Sequence, residues 1–288
     1  MHAQCSVDLQ SVARQDCTIT DNERSAVCVC ESASLVMLRV VIEASSCSVQ
    51  KSGLILHDKS RSSISESIFR GHRGGNVVLQ DSSTASFDKC EMEGGLVGLK
   101  LHGHSTTIVR ASTLRNNREC NLLLLDEAET YVSRCALTDS GGAGIRCAGA
   151  SRCGVSYSSI MNNAGAGIVA CGPAGRLDMR GNRVSQNGGS GVEVDSGRLQ
   201  MRGNVLFDNK LAALTADSLR SAAICHNTFM GMGGPSVKIK GPALSREAFT
   251  GNTFFAVSDA EHDAPHPGAA DAHFSRAPQG QQPIDPNS

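Results

Sequence analysis

A glycine, asparagine or other small residue followed by a short apolar block returns at a nearly constant interval through most of this chain. The copies are Gly53-Leu-Ile-Leu, Asn76-Val-Val-Leu, Gly98-Leu-Lys-Leu, Asn121-Leu-Leu-Leu, Gly144-Ile-Arg-Cys, Gly167-Ile-Val-Ala, Gly191-Val-Glu-Val, Ala213-Leu-Thr-Ala and Ser236-Val-Lys-Ile. Each step between starts is 22 to 24 residues. A period this regular means one supersecondary unit stacked on itself, with each unit burying its core only against its neighbours.

Further marks keep step with the block. Asn117, Asn163, Asn187 and Asn209 each stand four residues before a start, and Ser112, Ser158, Asn182, Asn204 and Asn227 stand nine before one. Two residues after this second set comes an apolar side chain: Leu114, Ile160, Val184, Leu206 and Phe229. A unit of this length is too short for two helices, and it is rich in Gly, Asn, Ser and β-branched residues where a helix would place Ala, Leu and Glu. Gly144-Ile145-Arg146-Cys147 alternates apolar and polar side chains with the period of two that marks a strand. One unit therefore predicts strand, turn, strand and polar corner. Gly and Asn would supply the left-handed corner conformations. Equivalent strands of successive coils would lie roughly 4.8 Å apart. The inward ladder would be Leu54, Val77, Leu99, Leu122, Ile145, Ile168, Val192, Leu214 and Val237. The asparagines would hydrogen-bond from coil to coil at the corners.

On these residues the chain resembles the right-handed parallel β-helix family of pectin-lyase-like fold. Asn182-Arg-Val-Ser-Gln-Asn187 with Gly191-Val-Glu-Val, and Asn204-Val-Leu-Phe-Asp-Asn209, are similar to its N-x-[IVF]-x-x-N and G-[IV]-x-[VC] repeat. The resemblance implies an all-β solenoid of about nine to eleven coils over residues 30–256. It is unspecific for activity, since members include polysaccharide lyases, hydrolases, epimerases and non-enzymatic recognition domains. Residues 1–29 break the repeat and are expected to form an N-terminal cap or irregular first coil. Phe249, Phe254 and Phe255 are expected to plug the far end. Residues 257–288, rich in Pro, Ala, His and Gln, are expected to be a disordered tail.

The net charge of −1 offers no electrostatic case for nucleic acid or an anionic membrane. No stretch reaches the ~20 apolar residues of a membrane span. The opening Met1-His-Ala-Gln-Cys-Ser-Val-Asp lacks the basic and apolar regions of a signal peptide, which predicts a cytoplasmic protein. On that expectation the 12 cysteines are reduced core thiols rather than disulfides. Cys147 falls on an inward position, and Cys135 shares the column of Ser158 and Asn182. Cys5, Cys17, Cys28 and Cys30 could hold zinc, but Cys28-Val-Cys30 has too short a spacing, so Cys28 and Cys30 are expected to be inward strand thiols.

In enzymes of the family, the resemblance implies, chemistry takes place on the outer face of the stacked first strands. One outward ladder is Ile55, Val78, Lys100, Leu123, Arg146, Val169, Glu193, Thr215 and Lys238. The next is His57, Gln80, His102, Leu125, Ala148, Cys171, Asp195, Asp217 and Lys240. Two functional expectations follow. The favoured one is a non-enzymatic intracellular scaffold that binds a protein partner along an exposed apolar stripe with basic spots, formed by Ile55, Val78, Lys100, Leu123, Leu125, Arg146 and Val169. The alternative is a carbohydrate-active enzyme, a polysaccharide lyase or glycoside hydrolase, using Glu193, Asp195 and Asp217 with Lys238 and Lys240 nearby. Paired carboxylates about 5 Å apart suit glycoside hydrolysis, and three could hold Ca²⁺. No cofactor or metal is expected under the first reading, and Ca²⁺ only under the second. His102 and His104, with His57 two coils away, form a second polar spot. The scarcity of aromatics (no Trp, two Tyr) and the even coil length, which leaves no room for cleft-building insertions, weigh toward the scaffold.

Overall fold

The computed structural model describes residues 11–20, 25–44, 51–232, 236–240 and 248–257. Every strand pairing among them is parallel, and the chain winds as a solenoid with three strands per coil. The sequence predicted two. The coil that begins at Val97–Leu101 continues through Thr106–Arg110 and closes with the short strand Thr113–Arg115. The first strands stack into one face and the second strands into another, here called the first and second sheets; the long strands Val192–Arg202 and Leu214–Cys225 run through both and join them into 19 strands, and the third strands form a third sheet of 11. Solenoid pairing already includes Ser11–Gln15, which pairs with Ser34–Leu38, so the ladders start ahead of residue 30. The tail from 258 onward lies outside the described residues.

The core is the predicted inward ladder. Leu54, Val77, Leu99, Leu122, Ile145, Ile168, Val192 and Leu214 are each fully buried, and Val237 nearly so. The second strands add Phe87, Val109 and Val132, and the third add Phe69, Met92, Leu114 and Ile160. At the C-terminal end the rings of Phe229, Phe249 and Phe254 stack with centroids 5.5 to 6.3 Å apart. Cys90, Cys120, Cys135, Cys147 and Cys153 are buried as free thiols. Cys28 and Cys30, expected to point inward, are exposed. They flank buried Val29, and alternation along the strand puts both on the outside. Cys5 lies outside the described residues.

Two buried polar columns fix the coils in register. In one, the Asn182 side-chain amide donates to Asn204 Oδ1 at 2.9 Å, Asn204 to Asn227 at 2.9 Å and Asn227 to Asn252 at 3.1 Å. Each of these oxygens also accepts the backbone N–H of the preceding coil's column residue. Ser158, Cys135 and Ser112 extend the column by the same backbone contacts. The residue just before this column is left-handed in coil after coil. It is Asp16, Arg39, Glu66, Lys89, Ala111, Arg134, Tyr157 and His226, not glycine, in eight of them. The buried hydrogen bonds offset the cost of that conformation.

The other column runs His72, Asn76, Asn117, Asn121, Asn163, Asn187 and Asn209 through hydrogen bonds of 2.8 to 3.2 Å. It explains the residue that opens each apolar block. At Gly144 a Cβ would stand 2.8 Å from the Asn163 amide and 2.7 Å from the Gly167 carbonyl, so a side chain is excluded beside the column. Asn76 and Asn121 occupy the same position in coils where the column residue itself is Gly95 or Ser140, and their own side chains complete the ladder.

Candidate functional site

The outward ladder of the first sheet has the predicted register throughout: Ile55 opposes Val78, which opposes Lys100, then Leu123, Arg146, Val169, Glu193, Thr215 and Lys238 in turn. Its surface differs from the expectation. Val78 and Leu123 are only 7 % exposed, and Ile55, Leu125 and Val169 are half-buried. Leu123 packs with Val97, Cys120, Leu96 and Leu125 into a small apolar cluster on the outer face. With two members buried and three half-buried, the face presents no contiguous exposed apolar stripe.

A groove opens beside Arg146 and Val169, between the corners at Arg118 and Gly141. Its cavity volume is about 540 Å³, lined by Arg118, Glu119, Arg146 and Val169 with buried Cys120 at the floor. Burial pushes the Cys120 thiol up to about 12, reinforced by Glu119, while Arg146 and Lys100 both pull it down. Both cations therefore act on the same spot. Lys100 and Arg146 are two coil steps apart, roughly 10 Å. Arg118 comes from the corner ahead of the strand, where its N–H is held by the Gly95 carbonyl at 2.9 Å.

His102 stands two residues after Lys100 on the same outward side and is half-buried. Its pKa is lowered, first by burial and next by the Lys100 charge, with Asp126 and Asp81 opposing. The imidazole is thus held neutral near pH 7 and can accept a proton. Along the same column the Gln80 amide lies 3.4 Å from His57 Nε2, and Asp81 is 4.0 Å from His57 Nδ1. His104 points elsewhere, 3.5 Å from Glu127. The sequence singled out these histidines but did not join His102 to Lys100. Their i, i+2 spacing on one strand was the available signal.

The acidic candidates occupy the far end of the same face. Asp195 and Asp217 are exposed and Glu193 is half-buried, its carboxylate accepting the Ser190 N–H at 3.3 Å. Lys238 and Lys240 are exposed on the following coil, and no ion pair joins them to these acids among the described residues. Among the described residues no three His, Cys, Asp or Glu side chains gather closely enough to hold a metal ion, so the three acids do not converge as a cation cage.

The family profile described as right-handed beta helix region matches residues 7–128 and 93–231. The chain belongs to the right-handed β-helix family. No curated protein matches its sequence. Among solved structures, the periplasmic alginate epimerase AlgG is similar at 11 % identity over 79 % of this chain and 70 % of that one, with a TM-score of 0.62. A point mutant of AlgG aligns at 12 % identity over 78 % and 60 %, TM-score 0.59. Pectate lyase Pel9A aligns at 10 % identity over 86 % and 70 %, TM-score 0.49.

Two expectations are corrected here. The non-enzymatic scaffold is displaced, because the solved structures aligned at a TM-score above 0.5 are those of an alginate epimerase, not of a scaffold. The stripe meant to dock a protein is also largely covered. The cytoplasmic placement is displaced because AlgG, the protein of this fold aligned above, is periplasmic.

Proposed function

We propose that this β-helix is a carbohydrate-active enzyme that acts on an acidic, uronate-containing polysaccharide, with the groove at Arg118 and Arg146 and the neighbouring Lys100 and His102 as its site. The observation that carries the proposal is the half-buried His102 beside Lys100, a proton acceptor held neutral next to a cation. The fold shared with an alginate epimerase supports the substrate class. Export from the cytoplasm, to where such polymers lie, belongs to the same proposal.

The chemistry follows from the residues. A uronate C5–H is acidic only when the neighbouring carboxylate is neutralised. Half-buried Lys100 and exposed Arg146 supply that positive charge, with the Lys100 charge worth more than it would be in water. His102 takes the C5 proton as general base, and the electron pair moves into the carboxylate as an enolate. A water on the opposite face gives C5 a proton and inverts it, and His102 returns its proton to the hydroxide so formed through solvent. Loss of the sugar–oxygen bond at C4 instead leaves a C4=C5 double bond, and the departing oxygen takes a proton. Glu193, Asp195 and Asp217, on the same face, are placed to contact the polymer's hydroxyls beyond the reacting sugar.

The test is incubation with polymannuronate, polyguluronate and polygalacturonate. Product would be followed by ultraviolet absorbance for the unsaturated sugar and by proton NMR for inverted C5. Conversion of at least one polymer is expected, reduced by about a hundredfold or more in His102→Ala, the usual worth of a general base. Full retention of activity in that variant would remove His102 from the mechanism, and no conversion of any polymer would remove the reading.

A further inference from the structure

The outer face of the second sheet carries a charge pattern that the groove does not use. In three successive coils Arg152 pairs in register with Arg176, and Arg176 with Arg198. Two outward positions further along each strand, Arg180 pairs with Arg202. All five are exposed. Asp178 is the one acid among the outward residues of these strands, and it holds Arg176 at 2.7 Å. On the adjoining strand Glu129 stands in register with Arg152 and accepts the Tyr131 hydroxyl at 2.5 Å, so five arginines against two acids give this patch a net charge of +3 on a chain whose total is −1.

Like charges stacked one strand spacing apart, roughly 4.8 Å, oppose folding. The third sheet of the same molecule avoids that cost by pairing. Arg115 lies 2.6 Å from Glu91 and 2.8 Å from Glu93, and Arg70 lies 3.8 Å from Glu93. On the second sheet, Arg152, Arg180, Arg198 and Arg202 have no carboxylate partner among the described residues. At the head of the arginine column, Tyr131 is 53 % exposed and its ring lies against the next coil, where a Cβ on Gly154 would be 2.9 Å from it. A ring so placed offers an apolar platform with a polar handle.

We infer that this face is a second binding surface for the linear acidic polysaccharide, apart from the reacting groove. Sugar carboxylates seat on the unpaired guanidinium groups, whose planar forks match a carboxylate with two hydrogen bonds, and one sugar ring rests on Tyr131. Single-stranded nucleic acid is gripped by a stacking aromatic for successive bases. Here one ring serves five guanidinium groups, which fits a polymer recognised chiefly by its carboxylates. The inference rests on the proposed substrate class and adds a holding surface to it.

The test is binding of the full chain to polymannuronate by calorimetry at rising salt, comparing the wild type with Arg176→Ser/Arg198→Ser/Arg202→Ser, whose fold is checked by circular dichroism. The expected result is affinity weakened by about tenfold or more with a flatter salt dependence. Turnover of a short saturating oligouronate should be unchanged. Equal affinity in the folded variant, or no binding by the wild type, overturns the inference. Tighter wild-type binding to an oligodeoxynucleotide of equal charge overturns the ligand class. Arginine-dependent binding without conversion of any uronate leaves this surface standing and removes the groove's proposed activity instead.

Discussion

At the scale of single residues, the alternation of a strand decides what each cysteine can do. Cys28 and Cys30 face outward and are exposed, whereas Cys90, Cys120, Cys135, Cys147 and Cys153 are buried. Burial also raises the thiol pKa of Cys90 to about 11, leaving almost no thiolate at neutral pH. Brief alkylation of the native protein at pH 7.5 or so, followed by peptide mass spectrometry, should label Cys28 and Cys30. The five buried cysteines should react only after unfolding. The same scale sets the pH response of the groove. A free imidazole titrates near 6.5 and His102 lies below that, so the rate should hold through neutral pH and fall on the acid side of 6.5 as the base is protonated. The directions of Cys28 and Cys30 were missed because their strand precedes the regular repeat, where no second copy fixed the phase. The neutral state of His102 was out of reach because burial on an outward position depends on how the corners fold over the sheet.

At the scale of strands and corners, the buried asparagine columns hold the coils in step. Asn187 Oδ1 accepts the backbone N–H and the side-chain amide of Asn163, and its own amide donates to Asn209 and to the Ile160 carbonyl. Asn187→Ala leaves a buried N–H without a partner and should cost about 1–3 kcal/mol or more, read as a lower urea midpoint. Leu122→Ala, at the centre of the inward ladder, should cost about 2–5 kcal/mol. Buried His72 gives this level a pH dependence. Its folded pKa lies below the unfolded value because burial disfavours the charged ring. Unfolding is therefore favoured as pH falls below about 6.5, the unfolded value, toward the folded one, and stability should be greatest above that window. The asparagine ladder was legible from Asn163, Asn187 and Asn209, which keep the repeat. The roles of Asn76 and Asn121 were not, because they sit at a glycine position and enter the column only where Gly95 and Ser140 leave it incomplete.

At the scale of the whole molecule, a stack of coils turns sequence period into surface columns. That is why the register of the first sheet's outer face was readable residue by residue from Ile55 to Lys238. The same logic hid the second sheet. Its strands carry no repeated opening residue, so nothing in the sequence aligns Arg152, Arg176 and Arg198, and a net charge of −1 conceals a patch of +3. Even coil length predicts no cleft, yet short corners at Arg118 and Gly141 suffice to wall a shallow groove. The account joins that groove, a neutral base and two flanking cations into one claim: this β-helix removes the C5 proton of a uronate. The most direct measurement is deuterium incorporation at C5 when the protein acts on polyuronate in heavy water, read by NMR for the wild type and His102→Gln. The account predicts C5 deuteration by the wild type and its loss in a variant that stays folded. Equal exchange in both proteins, or none in the wild type, would contradict it.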